Sequence, residues 1–238
     1  ATLTTPKQAV AGRGLNYGFA RGYAENKTAT EQKFIDEALA LAKPFKKVLV
    51  FAGLTDYVES EGCDRENMRL PQNQLDLINA MTTAGKEVIV VLFGGSPVEL
   101  PFADNVGAIL NMYLPGQSGG RACANLLFGK ATPSGRLAET WPLKYEDVPF
   151  CNEFGKTINE IYKESVFVGY RYYATANKKV RYPFGYGLSY TKFEYSDFNA
   201  VLNGDKIIAQ CTQKNARKYD GADVVQVYAA LKRSAIFR

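Results

Sequence analysis

The first part of the chain alternates between segments with a helical spacing of apolar residues and short, continuous apolar runs. In residues 30–44, TEQKFIDEALALAKP, apolar positions recur every three or four residues, and Pro44 marks the expected end of this helix. The next run, KVLVFAG, is rich in β-formers, as expected for a strand covered on both faces. This alternation predicts a mostly parallel sheet flanked by helices.

The same alternation continues to about residue 143. LPQNQLDLINAMTTAG predicts a helix with Leu75, Ile78 and Met81 facing inward, stopped by Gly85. EVIVVLFGG predicts a second buried strand and VGAILNMYLPG a third, before a short helix, GGRACANLLFGK, that closes at Gly129. We therefore assign residues 1–143 to one domain of the α/β fold class.

The pattern changes after residue 143. Residues 144–190 are aromatic and irregular with no sustained helical period, which indicates a linker whose aromatic side chains fill a seam between domains, or alternatively a stacking surface for sugars or bases. From residue 191, KFEYSDFNAVL, KIIAQCTQ and DVVQVYAAL alternate apolar and polar positions, which predicts the opening strands of a β-sandwich. Residues 191–238 are fewer than the roughly 100 of such a domain, so we expect a partial one.

Composition excludes several classes of function. The chain has 238 residues and no histidine, which rules out Ser-His-Asp and Cys-His catalysis and His-based zinc sites within it. The four cysteines are isolated, so neither a metal site nor a disulfide framework is expected. The net charge of +5 is spread along the chain, which argues against nucleic-acid binding. We expect no cofactor.

Membrane and secretion signals are also missing from the sequence. No apolar run reaches the ~18 residues of a membrane span. The first residues, ATLTTPKQAV, lack the basic and apolar regions of a signal peptide, which favours a cytoplasmic location.

One charged loop is the main candidate for chemistry. Residues 59–65, ESEGCDR, follow the first predicted strand, at the sheet edge where α/β proteins bind ligands. Gly62 permits a sharp turn beside Glu61, and Asp64 with Arg65 is expected to form an ion pair that fixes the loop. The alternative is a solvated acidic loop without function. One carboxylate is also insufficient for glycoside hydrolysis, which needs two.

Glycine-rich stretches are the rival signal. FGGSPVELP and LPGQSGGRACANLLFGKATPSGRL could hold a phosphate at a helix start, but neither contains a complete nucleotide-binding motif. We interpret them as tight turns between strands and helices.

The motifs taken in order resemble a known enzyme family. ESEGCDRENMRLPQNQLDLI, VIVVLFGGSPVELP, AILNMYLPGQSGGRACANLLFGKATPSGRLAETWP, IYKESVFVGYRYY and RYPFGYGLSYTKFEYS look like the C-terminal half of glycoside hydrolase family 3. The resemblance covers residues 30 to 238. It implies a six-stranded α/β sandwich followed by a fibronectin-III-like domain, and a retaining exo-acting β-glycosidase, most often a β-glucosidase.

The resemblance also implies roles for the loop residues. The family's general acid/base falls on Glu61, the loop's structural ion pair on Asp64 and Arg65, and a nearby accompanying acid on Glu59. Glu61 would protonate the leaving oxygen and then deprotonate the incoming water, which requires a carboxyl pKa raised by a partly desolvated pocket.

The family's nucleophilic aspartate has no counterpart in this sequence. In the family it lies on a TIM-like barrel, in an S-D-W-type motif that is absent here. The resemblance therefore implies that the barrel is a partner, in the same gene product or a separate chain, and that these 238 residues alone are inactive or nearly so. β-Linked glucosides or short oligosaccharides are the expected substrates.

A different class of function stays open beside this one. The chain could be a non-catalytic α/β module that binds carbohydrate or a protein. We also expect homo-oligomers, because a domain that normally packs against a barrel should expose an apolar patch, and an unfinished β-domain should expose strand edges.

Overall fold

The structure, a computed structural model, describes residues 3–156, 158–159 and 161–230. These residues form two compact units. The sheet unit comprises the described part of residues 1–124 and 142–154. The hairpin unit comprises the described part of residues 125–141 and 155–238.

A parallel three-stranded sheet is the centre of the sheet unit. Its strands are β1 (Lys47–Gly53), β2 (Glu87–Phe93) and β3 (Ala108–Asn111), in that order across the sheet. Val90 in β2 pairs with Val50 on one side and Ile109 on the other. The three predicted strands and the α/β fold class are confirmed. The described part of this sheet has three strands, where the resemblance implied six.

The apolar spacing predicted three of the following four helices, all but the first. They are α1 (Pro6–Ala11), α2 (Gln32–Ala42), α3 (Gln72–Thr83) and α4 (Gly119–Leu127), followed by a 3₁₀ turn at Tyr145–Asp147. On α3, Ile78 and Met81 are buried as predicted, but Leu75 is only half-buried and Leu77 takes the inner position. The apolar stripe therefore follows the 3.6-residue period through Leu77 rather than Leu75.

The core is built on both faces of the sheet. The side chains of Val88, Val90 and Val91 in β2 and of Ile78 in α3 are almost completely buried. Cys123 of α4 joins them, and burial raises the pKa of its thiol to about 11. A free thiol in this setting behaves as a small apolar side chain. The cysteines were expected to be mostly buried, which holds for Cys123 but is wrong for Cys63 and Cys211, which are exposed.

The end of β1 is fixed by close packing and by a buried amide. A Cβ atom at Gly53 would lie 1.8 Å from the carbonyl oxygen of Phe93, so only glycine fits between β1 and β2. The side chain of Gln74 on α3 accepts a hydrogen bond from the Gly53 N–H at 2.8 Å and donates one to its carbonyl oxygen at 2.9 Å. The chain therefore leaves β1 in one defined direction.

The hairpin unit holds short elements and one long ribbon. Its long strands are β6 (Phe193–Asn203) and β7 (Lys206–Asn215), which pair antiparallel with an irregularity between Ser196 and Asn199. A second, two-stranded sheet joins β4 (Trp141–Pro142), where the chain returns to the sheet unit, to β5 (Val180–Tyr182). The predicted first two strands of a β-sandwich are thus confirmed as strands.

Two predictions for the hairpin unit are wrong. Residues 223–230 were predicted as a strand but have no strand conformation. In the aromatic segment, where no helix was expected, Tyr170–Thr175 forms α5. It begins after Gly169 at φ +55° and is too short for an apolar stripe to reveal. The last part of the predicted β-domain, residues 231–238, lies outside the described residues.

No helix in the described ranges is both long and apolar enough to cross a membrane.

Candidate active site

The candidate site lies at the carboxyl edge of the parallel sheet. Because β1 and β2 are parallel, the segments that follow them, 54–71 and 94–97, leave the sheet at the same edge. The ladder extends one residue past β1, since the Leu54 N–H donates to the carbonyl of Phe93, the last residue of β2, at 2.9 Å. The ESEGCDR loop (residues 59–65) therefore begins beside the turn that follows β2.

Glu59 binds this second turn directly. Its carboxylate accepts hydrogen bonds from the Gly95 N–H at 2.8 Å and from the Ser96 hydroxyl at 2.7 Å. Its own N–H donates to the Thr55 carbonyl at 2.9 Å, which closes the preceding turn. Glu59 is half-buried, and its carboxylate joins the loop after β1 to the turn after β2.

Arg65 binds the same turn from the other end of the loop. Its guanidinium donates to the Ser96 hydroxyl at 2.6 Å, to the Pro97 carbonyl at 3.3 Å and to the Asn67 carbonyl at 3.1 Å. Burial lowers the pKa of Arg65, and the negative charge of Glu59 opposes that shift. A half-buried cation is thus held against a turn that also receives a carboxylate.

The expected ion pair between Asp64 and Arg65 is absent. Asp64 is exposed, and its side chain forms no ion pair or hydrogen bond within the described part of the chain. The reason is that the Arg65 guanidinium turns inward, where an oxygen of Ser96 and a carbonyl replace solvent. Arg65 instead binds the Ser96 hydroxyl and the carbonyls of Pro97 and Asn67.

Glu61 lies between these two contacts and differs from both. It is exposed, and no hydrogen bond or ion pair joins its carboxyl group to any described residue. The backbone turns sharply beside it: Gly62 has φ +82°, and the Cys63 N–H donates to the Ser60 carbonyl at 3.2 Å. Nothing in the described residues supplies the desolvated pocket that the resemblance implied for Glu61.

Gly95 and Ser96 belong to the site although no sequence motif assigned them to it. Both belong to the glycine-rich stretch FGGSPVELP, which we interpreted only as a tight turn. Its position directly after β2 was the available signal. Its contacts with the earlier loop could not be read from the sequence, because they join residues more than 30 positions apart.

Metal chemistry finds no support among the residues that the structure describes. No group of three or more cysteine, aspartate or glutamate side chains there lies close enough together to hold a metal ion. The chemistry that the edge offers is therefore that of two free carboxyl groups, Glu61 and Asp64, held on a loop whose two ends are bound.

Sequence comparison places the chain in a family. Residues 2–190 match the model of the glycosyl hydrolase family 3 C-terminal domain. The chain is 42% identical over 232 residues to thermostable β-glucosidase B of Acetivibrio thermocellus, which covers 95% of this chain. It is 38% identical over 239 residues to an exo-α-(1→6)-L-arabinopyranosidase of Bifidobacterium longum, which covers 99%. The chain spans only about a third of these relatives, 31% and 32% of their lengths.

Solved structures agree with the sequence comparison. A family 3 β-glucosidase from Bifidobacterium adolescentis matches with a TM-score of 0.82 and 38% identity, over 90% of this chain and 32% of that one. A β-glucosidase from Kluyveromyces marxianus, solved in complex with glucose, matches with a TM-score of 0.74 and 38% identity, over 80% of this chain and 23% of that one.

Proposed function

Because this chain belongs to glycoside hydrolase family 3, as the C-terminal part of a β-glucosidase-like glycosidase, we propose that Glu61 is the general acid/base of a retaining exo-β-glycosidase. The observation that carries the proposal is the contrast within the ESEGCDR loop. Glu59 and Arg65 are engaged with the turn after β2, and Glu61 and Asp64 between them are left free; of these two, Glu61 is the residue on which the family's acid/base falls by resemblance. A proton-transfer group must have lone pairs available to substrate.

The reaction would proceed in two steps. In the first, protonated Glu61 donates its proton to the glycosidic oxygen as a carboxylate nucleophile attacks the anomeric carbon, giving a covalent glycosyl-enzyme and the free alcohol. In the second, the Glu61 carboxylate removes a proton from water, which attacks the anomeric carbon and releases the nucleophile. Glu61 ends protonated, ready for the next cycle.

The nucleophile in this proposal lies outside the 238 residues. A retaining mechanism needs a second carboxyl group about 5 to 5.5 Å from the first. We propose that the family's barrel domain supplies it, together with most contacts to the sugar. The barrel would also cover Glu61 and remove the water that surrounds it here, which provides the desolvation that an acid catalyst needs. The isolated chain is then inactive or nearly so.

The substrate we propose is a terminal, non-reducing β-D-glucosyl residue. Most of the relatives named above are β-glucosidases, and one solved neighbour holds glucose. One relative is named for a different sugar, an L-arabinopyranoside. The hydroxyl groups that a sugar must present are therefore expected to be chosen by the barrel rather than by Glu61.

The test is a chimera in which this chain replaces the corresponding third of Acetivibrio thermocellus β-glucosidase B. Glu61→Gln should lower kcat/KM for an alkyl β-glucoside by about 10² to 10⁴. It should have far less effect on a dinitrophenyl β-glucoside, whose leaving group needs no proton. Azide should restore turnover of the activated substrate and yield glucosyl azide, because this nucleophile needs no general base.

Glu66→Gln is the matched control. Glu66 is an exposed acid next to the ESEGCDR loop, and it should leave both substrates unaffected. If Glu61→Gln lowered kcat/KM equally for both substrates and azide restored no turnover, the acid/base role would be contradicted. Turnover by the isolated chain, lost in Glu61→Gln, would show that the nucleophile is within these 238 residues. An inactive chimera whose isolated chain binds glucose tightly would favour the non-catalytic binding module.

A further inference from the structure

The two ends of the ESEGCDR loop converge on a single hydroxyl group. Ser96 Oγ lies 2.7 Å from Glu59 Oε1 and 2.6 Å from Arg65 Nη1. A carboxylate only accepts hydrogen bonds and a guanidinium only donates them. The one hydroxyl proton must therefore point at Glu59, and a lone pair of the same oxygen must receive Arg65. Both functions of the hydroxyl are used, with the negative partner on one side and the positive partner on the other.

The residues between these ends have little else to hold them. Glu61 and Asp64 are exposed, and their side chains contact no hydrogen-bond partner within the described ranges. A Cβ atom at Gly62 would meet nothing within 4 Å. The only backbone hydrogen bond within the loop is the Cys63 to Ser60 turn. The position of Glu61 relative to the sheet thus depends on the contacts at its two ends.

Glu59 and Arg65 each make other hydrogen bonds that would remain if the Ser96 hydroxyl were removed. Glu59 keeps a second bond, to the Gly95 N–H, and Arg65 keeps the Pro97 and Asn67 carbonyls if Ser96 is lost. Ser96 is the side chain that both ends share. Without its hydroxyl, Glu59 and Arg65 share no hydrogen-bonding side chain, and each end of the loop keeps only its own bonds to backbone atoms.

We propose that Ser96 is a positioning residue that sets the place of the acid/base Glu61 by joining both ends of its loop. The inference rests on the proposed function for its catalytic consequence, but its structural part concerns this chain alone. Ser96 would touch neither substrate nor nucleophile. Its removal should act on the step that requires a placed proton donor, because a displacement of about 1 Å at a reacting group costs on the order of 10²-fold in rate.

The catalytic test uses the chimera described above and compares two substrates. Ser96→Ala should lower kcat for the alkyl β-glucoside by about 10- to 100-fold, with little change in KM. The dinitrophenyl β-glucoside should be affected much less in the step that cleaves its bond, because no proton is needed there. Ser96→Thr keeps the hydroxyl and should recover most of the loss. If Ser96→Ala only destabilised the fold, turnover of both substrates would fall by the same factor.

Ser60→Ala is the matched control. Ser60 is an exposed serine in the same loop, and its hydroxyl has no hydrogen-bond partner among the described residues. It should leave both substrates and KM unchanged. Equal effects of Ser60→Ala and Ser96→Ala would overturn the proposal.

A second measurement separates failure of this inference from failure of the proposed function. In the 238-residue chain without a barrel, amide hydrogen exchange at Cys63, whose N–H makes the loop's backbone hydrogen bond, should be faster in Ser96→Ala than in the wild type. Suppose that exchange is faster in Ser96→Ala but that neither Ser96→Ala nor Glu61→Gln changes the activity of the chimera. That result would overturn the acid/base role and with it the catalytic part of the inference. Unchanged exchange would overturn the inference about Ser96, whatever the result for Glu61.

Discussion

The parallel sheet and the β6–β7 ribbon are both hydrogen-bonded ladders, but only the sheet is buried. Val90, in the middle of the sheet, is 0% exposed, whereas Leu202 in the ribbon is 77% exposed. Along the whole ribbon, Phe193 is the one residue that is even half-buried. The sheet is therefore held by apolar packing and hydrogen bonds together, and the ribbon by hydrogen bonds alone.

This difference decides where a site can be built. A two-stranded ribbon without a covered face is marginally stable in water. A sheet packed on both faces fixes the direction in which the chain leaves each strand, and the ESEGCDR loop and the turn at Gly95 both start from such strands. We still propose that the chain associates with itself, because apolar residues of the ribbon are exposed.

The largest effect should come from the tightest point of the sheet. Gly53→Ala places a Cβ 1.8 Å from the Phe93 carbonyl oxygen, so β1 and β2 must move apart. We expect a loss of more than about 4 kcal/mol in the free energy of unfolding, or no folded protein. Denaturant unfolding followed by circular dichroism measures it.

Gly62→Ala is its control, because Gly62 has φ +82° but open space around it. The cost there should be only the backbone strain, about 1 to 2 kcal/mol. Equal costs at the two glycines would show that backbone conformation, rather than the close approach of the strands, governs Gly53.

A core substitution and its counterpart in the ribbon sharpen the contrast. Ile78→Ala removes a completely buried side chain that packs within the sheet unit, and should cost about 2 to 5 kcal/mol. Ile207→Ala in the ribbon, where the side chain is mostly exposed, should change the free energy of unfolding by less than about 0.5 kcal/mol. Both are measured by denaturant unfolding. A large cost at Ile207 would mean that the ribbon is covered in solution, and light scattering would show whether a second copy covers it.

A further effect in the sheet unit depends on pH. The Tyr23 hydroxyl donates to the Phe51 carbonyl of β1 at 2.9 Å, and burial, with the nearby Glu25 carboxylate, raises the pKa of Tyr23 to about 12. This value lies above the ordinary 10, so the stabilisation is complete below about pH 10 and is lost as the pH rises towards 12.

Tyr23→Phe should therefore flatten the alkaline loss of stability, by roughly 2 kcal/mol between pH 9 and pH 12. Urea midpoints across this range measure it. At pH 8 the variant should lose only the hydrogen bond, about 1 kcal/mol. An unchanged alkaline slope in Tyr23→Phe would mean that another group controls it.

The predicted third strand at residues 223–230 shows where pattern reasoning fails. Its alternation, DVVQVYAAL, satisfies the local signal for a strand. A strand also needs a partner, and here the segment is held by side chains instead: Asp223 pairs with Arg136 and accepts a hydrogen bond from the Tyr195 hydroxyl at 2.5 Å. Alternation of apolar and polar residues favours a strand, but a strand forms only where another strand is available to pair with it.

The candidate site divides in the same way. The pattern pointed to the ESEGCDR loop, because it is an acidic loop with a glycine soon after a predicted buried strand, and the resemblance to family 3 gave Glu59, Glu61 and Arg65 their expected roles. It also predicted an ion pair for Arg65 with its chain neighbour Asp64, which is wrong. A chain neighbour is the easiest partner to propose from the sequence. A half-buried guanidinium instead forms hydrogen bonds with the oxygen atoms that the fold places around it.

The sequence by itself determined the main elements and the family: the pattern of apolar residues predicted α2, α3, α4 and the three strands of the parallel sheet, and the ordered motifs resembled glycoside hydrolase family 3. Both are properties of short segments, so they can be recognised in the sequence without knowledge of the tertiary structure. Only the tertiary structure decided that Ser96 receives both ends of the ESEGCDR loop and that Glu61 is left free. That choice depends on bringing together turns more than 30 residues apart, which parallel pairing of β1 and β2 achieves and no local pattern records.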